Sequence, residues 1–178
     1  YGSMNSGKST ILMQVAHNYE ERGMHVAVLK PGIDTKAESR IQSRIGLERE
    51  VDHLIQKGEN VYQLFKEQEE KPNAIIIDEA QFLEPQQVDE LMQIVVNLNI
   101  PVICYGLRTD FKTQGFPGST RLLEIAHTLE EMKTICRCGS KAMYNMRMVN
   151  GEPIFEGEQV AIDGGAVVSY ESVCPKCY

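Results

Sequence analysis

The sequence predicts an α/β fold of the phosphate-loop type, a parallel sheet with helices on both faces, followed by a small C-terminal zinc ribbon. Three observations predict it. Residues Gly2–Ser9 fit the pattern G-x-x-x-x-G-K-[ST] of a phosphate-binding loop. An apolar run, Ala74–Ile77, leads directly into the acidic pair Asp78-Glu79, as in a buried parallel strand. Four of the five cysteines form two close pairs near the C-terminus.

Length and charge limit the possible functions. A chain of 178 residues fits one domain with a small appendage, and its net charge of −7 argues against a nucleic-acid-binding surface. No apolar run is long enough to span a membrane and no signal peptide is visible, so we expect a soluble, cytoplasmic protein. A phosphate loop normally follows a strand, and we expect that strand to be missing before Tyr1.

The phosphate loop has a specific chemistry. Its glycines let backbone N–H groups face phosphate oxygens, Lys8 reaches the β- and γ-phosphates, and the Ser9 hydroxyl can coordinate Mg²⁺. A helix over Ser9–Arg22 and a strand over His25–Lys30 follow, which is the usual context of this motif. The predicted nucleotide-binding residues of the loop are Gly2, Ser3, Met4, Asn5, Ser6, Gly7, Lys8 and Ser9.

The acidic pair is predicted to lie at the C-terminal edge of the sheet, where open α/β sheets bind ligands. Asp78 ends its strand beside the loop and can help to hold Mg²⁺. Glu79 can point at the group that the γ-phosphate attacks. The alternative is that one of the two carboxylates only caps the helix that starts near Pro85.

The other segments predict secondary structure but carry no motif of comparable specificity. Helices are predicted over Asn60–Lys71, Pro85–Asn97 and Thr120–Thr128, and a buried strand over Pro101–Gly106. Residues 33–59 read as a polar surface segment, although some of its charges, among them Lys36, Arg40 and Arg44, could close over phosphates. The loop Leu107–Ser119 carries Phe111 and Phe116, which could equally be core residues or the lining of an apolar pocket.

The C-terminal segment predicts a metal site. The pairs Cys136/Cys138 and Cys174/Cys177 flank two strand-like runs, 142–149 and 153–158, joined by the hairpin signal Asn150-Gly151. This arrangement is typical of a structural four-cysteine zinc site; reduced thiols or a disulfide are the alternatives. The predicted domains are residues 1–132, which bind the nucleotide, and residues 133–178, which bind zinc.

Several motifs together resemble thymidine kinases of the type II class, in particular their bacterial branch. They are Gly2–Thr10, Asp78–Phe82, the run Cys104–Phe111 (C-Y-G-L-R-T-D-F), Glu156–Gln159 leading to Gly164-Gly165, and the two cysteine pairs. The resemblance covers essentially the whole chain, and its specificity comes from the combination of motifs. One departure is Lys36, which stands where many members of the family have arginine.

The resemblance implies transfer of the ATP γ-phosphate to the 5′-hydroxyl of thymidine, with Mg²⁺ and Zn²⁺ as cofactors and Glu79 as the catalytic base. Asp78, Glu79, Ala80 and Gln81 would complete the nucleotide site, and backbone groups of a lasso loop around Ala161–Asp163 would read the base. Homotetramer formation and feedback inhibition by dTTP are also implied. The implied nucleoside-binding residues are Met4, Phe82, Leu107, Phe111, Phe116, Ile162 and Tyr170.

Three other functions are alternatives to thymidine phosphorylation. Asp78–Gln81 superficially resembles a helicase box, so an ATPase stimulated by nucleic acid is a rival, although the chain is short and acidic. A nucleotide-sensing protein would bind ATP without turnover of any nucleoside. A kinase of another nucleoside, such as deoxycytidine, is hardly excluded, because recognition by backbone groups leaves little trace in side chains.

Overall fold

The computed structural model of the protein describes residues 1–32, 39–159 and 167–178. Its helices are α1 (Lys8–Glu20), α2 (Val61–Lys66), α3 (Pro85–Gln93) and α4 (Pro117–Ile125). Its strands are β1 (Val26–Pro31), β2 (Arg40–Gln42), β3 (Glu48–Glu50), β4 (His53–Ile55), β5 (Ala74–Ile77), β6 (Val102–Cys104), β7 (Thr134–Ile135), β8 (Lys141–Ala142), β9 (Tyr144–Val149), β10 (Glu152–Ile154) and β11 (Val168–Val173).

A four-stranded parallel sheet, in the order β4-β1-β5-β6, forms the centre of the N-terminal part. Its strands are apolar at successive positions because helices cover both faces. The predicted α/β fold is therefore confirmed. One face packs on α1, with buried residues Leu12, Met13, Ala16, Val26, Val28 and Ile76. The other packs on α2 and α3, with buried residues Ala27, Leu29, Phe65, Ile75, Ile77, Val88 and Leu91.

The polar segment before α2 is more ordered than its composition predicts. Residues 40–50 form the β2–β3 hairpin, and His53–Ile55 pair with β1 as the edge strand of the main sheet. Most of the hairpin residues are exposed, so the predicted surface position is confirmed for them, whereas their pairing as strands was not predicted. Cross-strand ion pairs from Arg40 to Glu48 and Glu50 stabilise the hairpin, and strands of three residues leave too short a pattern to detect.

Helix ends differ from the predicted ones for local reasons. Helix α4 begins at Pro117 instead of Thr120, because proline favours the first helical position. The next residue, Gly118, lies so close to the Leu83 carbonyl that an added Cβ would come within 2.3 Å of that oxygen. Helix α2 ends at Lys66, five residues before the predicted end, while α3 continues as a π-helix over Ile94–Leu98.

The C-terminal part is an antiparallel ribbon in which β9 pairs with both β10 and β11. The Asn150-Gly151 turn between β9 and β10 has φ values of 50° and 86°, as a two-residue hairpin of the predicted kind requires. The strand predicted over 153–158 ends at Ile154. Alternation along β9 directs Met146 into the core beside Cys136 and Cys174, and places Asn145 and Arg147 against the N-terminal part. No helix within the described ranges is long and apolar enough to cross a membrane.

Candidate functional site

The phosphate loop has the backbone geometry of an anion site. Asn5 and Gly7 are left-handed, with φ values of 65° and 79°, and α1 begins directly after them. Within the part of the chain that the structure describes, the backbone N–H groups of residues 5–9 donate to no protein acceptor. These N–H groups and the positive end of the helix dipole are therefore available to a phosphate.

Lys8 lies folded against its own loop. Its Nζ donates to the carbonyl oxygens of Gly2 and Ser3, at 3.2 and 2.7 Å, and to the Ser6 hydroxyl at 3.3 Å. Burial lowers the pKa of Lys8, while Glu79 and Asp78 act in the opposite direction. The ammonium is thus held at the loop with acceptors that a phosphate oxygen can replace.

Ser9 and Asp78 form the second part of the site. The Ser9 hydroxyl donates to Asp78 Oδ2 at 3.2 Å, and the Asp78 side chain is buried. Burial and then the neighbouring Glu79 raise the pKa of Asp78 to about 6, although hydrogen bonds from Ser9 and from backbone oppose the change. A buried carboxylate with too little positive charge around it, next to a hydroxyl, suits a hard cation such as Mg²⁺.

Glu79 projects from a strained position. Its φ of 52° is in the left-handed region, and a 3₁₀ turn over Ala80–Phe82 follows it. The alternative that Asp78 or Glu79 caps α3 is wrong, since Glu84 occupies that position and forms a capping box with Gln87.

Gln81 links Glu79 to the neighbouring loop. Its Oε1 accepts the Leu107 backbone N–H at 3.1 Å, and its Nε2 donates to Glu79 Oε2 in a short hydrogen bond. Because an N–H can only donate, the contact with Leu107 fixes which end of the amide faces Glu79. Gln81 is 2% exposed, and Gly106 packs so closely that an added Cβ would lie 2.8 Å from Oε1.

Lys8, Ser9 and Glu79 line one cavity of about 300 Å³. The turn of the β2–β3 hairpin forms one of its walls, which the sequence did not predict apart from the possibility for Arg44. Arg40 and Arg49 pair instead with acidic side chains, Arg49 with Glu20 at 2.7 Å. The cavity is lined by Met4, Asn5, Gly7, Lys8, Ser9, Thr10, Gln42, Ser43, Arg44, Ile45, Glu79 and Leu107.

The predicted nucleoside-binding residues fall into separate groups. Met4 and Leu107 line the cavity. Phe82 and Phe116 form an edge-to-face pair with ring centres 5.5 Å apart, and Phe116 is buried. Phe111 is also buried, at 2% exposure. Ile162, the lasso backbone around 161–163 and Lys36 lie outside the described residues.

Arg147, a buried residue that the sequence did not indicate, contacts two of the predicted nucleoside-binding aromatics, Phe111 and Tyr170. The Arg147 guanidinium lies 3.6 Å from the centre of the Phe111 ring, and its Nε donates to Tyr170 Oη at 2.9 Å. Its Nη atoms donate to the carbonyl oxygens of Glu158 and Gln159 at 2.7 and 2.8 Å. The available signal was a charged residue at an inward position of the apolar run 142–149.

The four predicted zinc ligands converge. The Sγ atoms of Cys136, Cys138, Cys174 and Cys177 all lie within 4.8 Å of one another, and Cys138 and Cys174 are 3.6 Å apart. A regular tetrahedron with Zn–S bonds of about 2.3 Å has sulfur atoms about 3.8 Å apart, so the spacing fits zinc.

The thiols differ in their electrostatic surroundings. Hydrogen bonds from backbone groups of Cys138 and Cys174 lower the pKa of Cys136, and Ser140 lowers the pKa of Cys138 to about 6. The neighbouring cysteines raise the pKa of Cys177 to about 12. The four sulfurs cannot all carry a negative charge unless a cation balances them.

Comparisons with known proteins point to one family. A family model described as "Thymidine kinase" matches residues 1–178. A thymidine kinase of Legionella pneumophila (strain Paris) is 47% identical over 179 residues, covering 98% of this chain and 84% of the relative. Thymidine kinases of Listeria innocua and Aliivibrio fischeri are 46% and 47% identical, each covering 100% of this chain and 93% of the relative.

Proposed function

Because the chain belongs to the thymidine kinase family, we propose that it transfers the γ-phosphate of ATP to the 5′-hydroxyl of thymidine, giving dTMP. The observation that carries the proposal is a single cavity shared by Lys8 and Ser9, which suit a triphosphate, and by Glu79, which suits a hydroxyl. Phosphoryl transfer needs little covalent chemistry from the protein beyond positioning, positive charge and a base near the acceptor.

In this proposal the phosphate loop orients the triphosphate. The backbone N–H groups of residues 5–9 and the Lys8 ammonium bind its oxygens, in place of the loop carbonyls that Lys8 now contacts. Ser9 holds Mg²⁺, with Asp78 hydrogen-bonded behind it. When bound, Mg²⁺ supplies positive charge to the phosphate oxygens. Two further nucleotide-binding assignments, Ala80 and Gln81, do not line the cavity, and Gln81 instead hydrogen-bonds to Glu79.

Glu79 accepts the proton of the 5′-hydroxyl. Its contact with Gln81 directs one carboxylate oxygen and leaves the other for the acceptor. The Asp78 carboxylate lies beside the Ser9 hydroxyl, so the two acids take different roles although they are adjacent in sequence.

The nucleoside is assigned to the side of the cavity formed by Met4 and Leu107. Phe82, Phe111, Phe116, Ile162 and Tyr170 complete this part of the proposal. Apolar and aromatic side chains suit a flat pyrimidine. Arg147 binds the carbonyl groups of Glu158 and Gln159, so it anchors the chain just before the segment assigned to the lasso. The four cysteines hold one structural Zn²⁺ at the base of this ribbon.

Three further features belong to the proposal through the family resemblance alone: assembly as a homotetramer, inhibition by dTTP, and location in the cytoplasm.

The test is a panel of the four deoxynucleosides with γ-³²P-labelled ATP. Thymidine should have the highest kcat/KM, and Lys8→Ala should abolish transfer to it. A matched control is Lys57→Ala, because Lys57 is exposed and does not line the cavity. Preferential labelling of deoxycytidine, or of no nucleoside, would contradict the proposal.

A further inference from the structure

Two side chains of the C-terminal ribbon hold the backbone of Met4 in the phosphate loop. Asn145 Oδ1 accepts the Met4 N–H at 2.7 Å, and the Ser172 hydroxyl donates to the Met4 carbonyl oxygen in a short hydrogen bond. Asn145 and Ser172 lie directly opposite each other in the β9–β11 ladder and are 4% and 6% exposed. We call these two residues the clip.

The clip provides two of the hydrogen bonds that reach the loop from outside it. Lys8 contacts the loop from within, since its acceptors Gly2, Ser3 and Ser6 all belong to it. Two other hydrogen bonds connect the loop to its surroundings: the Gly2 N–H donates to the Gly106 carbonyl at 3.3 Å, and the Ser9 hydroxyl donates to Asp78 Oδ2 at 3.2 Å. The clip therefore satisfies both polar backbone groups of Met4 from one pair of side chains.

Met4 stands next to Asn5, where the backbone enters its left-handed turn. A shift at Met4 would move the N–H groups of residues 5–9, which are proposed to bind the triphosphate. Hydrogen bonds to both sides of Met4 restrict rotation there, so the loop is held in one conformation before a ligand arrives.

We propose that Asn145 and Ser172 are positioning residues for the triphosphate, through which the cysteine ribbon sets the geometry of the phosphate loop. The inference rests on the proposed function in one respect, the assignment of ATP to this loop. Neither residue is assigned a contact with ATP. Cys174 lies two residues after Ser172, so the cysteine site fixes the end of the strand that carries the hydroxyl.

The test compares Ser172→Ala with Ser169→Ala. Ser169 lies on the same strand but is exposed, and its partner in β9 is Met148 instead of Asn145. ATP and thymidine affinities of the full chain are measured separately by calorimetry, with Mg²⁺ present. Loss of one buried hydrogen bond should weaken ATP binding roughly three- to tenfold in Ser172→Ala. Thymidine affinity should fall less than ATP affinity, because Met4 is only one of the residues assigned to the nucleoside, and Ser169→Ala should resemble wild type.

Asn145→Ala is the second clip variant, and it should change ATP affinity more strongly than Ser172→Ala. Asn145→Ala leaves the Met4 N–H without its acceptor, and should weaken ATP binding roughly ten- to a hundredfold. The increase in melting temperature caused by ATP should shrink in both variants, while the increase caused by thymidine persists. Both residues act on Met4. The loss of ATP-binding free energy in the double variant should therefore be smaller than the sum of the losses in the two single variants.

The binding measurements separate a failure of the clip from a failure of the proposed function. Selective loss of ATP affinity in both clip variants supports the inference. ATP affinity equal to that of Ser169→Ala, or equal loss for ATP and thymidine with a lower melting temperature, overturns it. If wild-type protein phosphorylates thymidine and the clip variants bind ATP normally, only the clip is wrong. If wild-type protein binds no ATP, the proposed function fails as well.

Discussion

Gln81 offers the sharpest test of how the proposed base is oriented. Replacing it with methionine keeps the length and volume of the side chain but removes both hydrogen bonds, to Leu107 N–H and to Glu79. Glu79 would then lose the contact that directs its carboxylate, although it would still be present and charged. We therefore predict a fall in kcat with little change in the KM for ATP.

The magnitude follows from the two contacts. A hydrogen bond to a charged group contributes about 1.5–3 kcal/mol, and that amount corresponds to a roughly 10- to 150-fold lower kcat if all of it acts in the transition state. The unpaired Leu107 N–H would lower the free energy of unfolding by a further amount of about 1–3 kcal/mol. Chemical denaturation separates this second effect from the first.

Gln81→Glu distinguishes orientation from simple damage. The new side chain can still accept the Leu107 N–H, but it places a second negative charge beside Glu79. Two adjacent carboxylates resist ionisation together, so the acid limb of the pH profile of kcat should move upward by about one unit or more. Activity should then recover partly at high pH, which Gln81→Met should not show.

The assay is a steady-state profile of kcat from pH 5.5 to 9.5 for wild type and both Gln81 variants. Gln86→Met is the matched control, since Gln86 is exposed on α3 and bonds to Glu90. A kcat for Gln81→Met within about twofold of the control would refute the reasoning that Gln81 orients Glu79.

Three further predictions concern the metal, the acid pair and the pocket. Protein purified without chelator should contain one zinc per chain; Cys138→Ser should lose it, whereas Cys104→Ser, outside the site, should keep it. In Mg²⁺-free buffer Asp78→Asn should raise the free energy of unfolding at pH 8 by up to about 3 kcal/mol, and the gain should vanish near pH 4. The sign follows because the pKa of Asp78 is raised from 3.8 to about 6 in the folded protein, so its ionisation costs stability as pH rises through that window; equal gains at both pH values would contradict it. Tyr170→Phe removes the hydroxyl that Arg147 contacts, and should raise the KM for thymidine several-fold while that for ATP stays constant; a raised KM for ATP alone would count against the pocket.

Structural features formed by residues close together in sequence could be predicted. The phosphate loop, α1 and the strand that carries Asp78 follow from local patterns, because each combines a motif with the periodicity of its element. The cysteine pairs were also readable, since metal ligands tend to lie at short spacings. Each of these features is present in the structure.

Contacts between distant segments were not predictable in the same way. Asn145 and Met4 are separated by 141 residues, and the polar character of Asn145 alone does not say which backbone group it binds. Strands of three residues, such as β2 and β3, are too short to show alternation, so the hairpin wall was not predicted, although Arg44 was a candidate for contact with phosphates. The left-handed conformation of Glu79 and the close approach of Gly106 to Gln81 are likewise features that local propensity does not describe.

The most direct measurement of the central claim is the rate of phosphoryl transfer in Glu79→Gln, measured in a single turnover with saturating ATP and thymidine. The substitution keeps the shape of the side chain and removes its basic oxygen. General-base removal should lower the rate roughly 10²–10⁴-fold, while the Kd for ATP stays within about twofold. A near-normal rate in Glu79→Gln would show that another group accepts the proton, and the assignment of Glu79 would then be wrong.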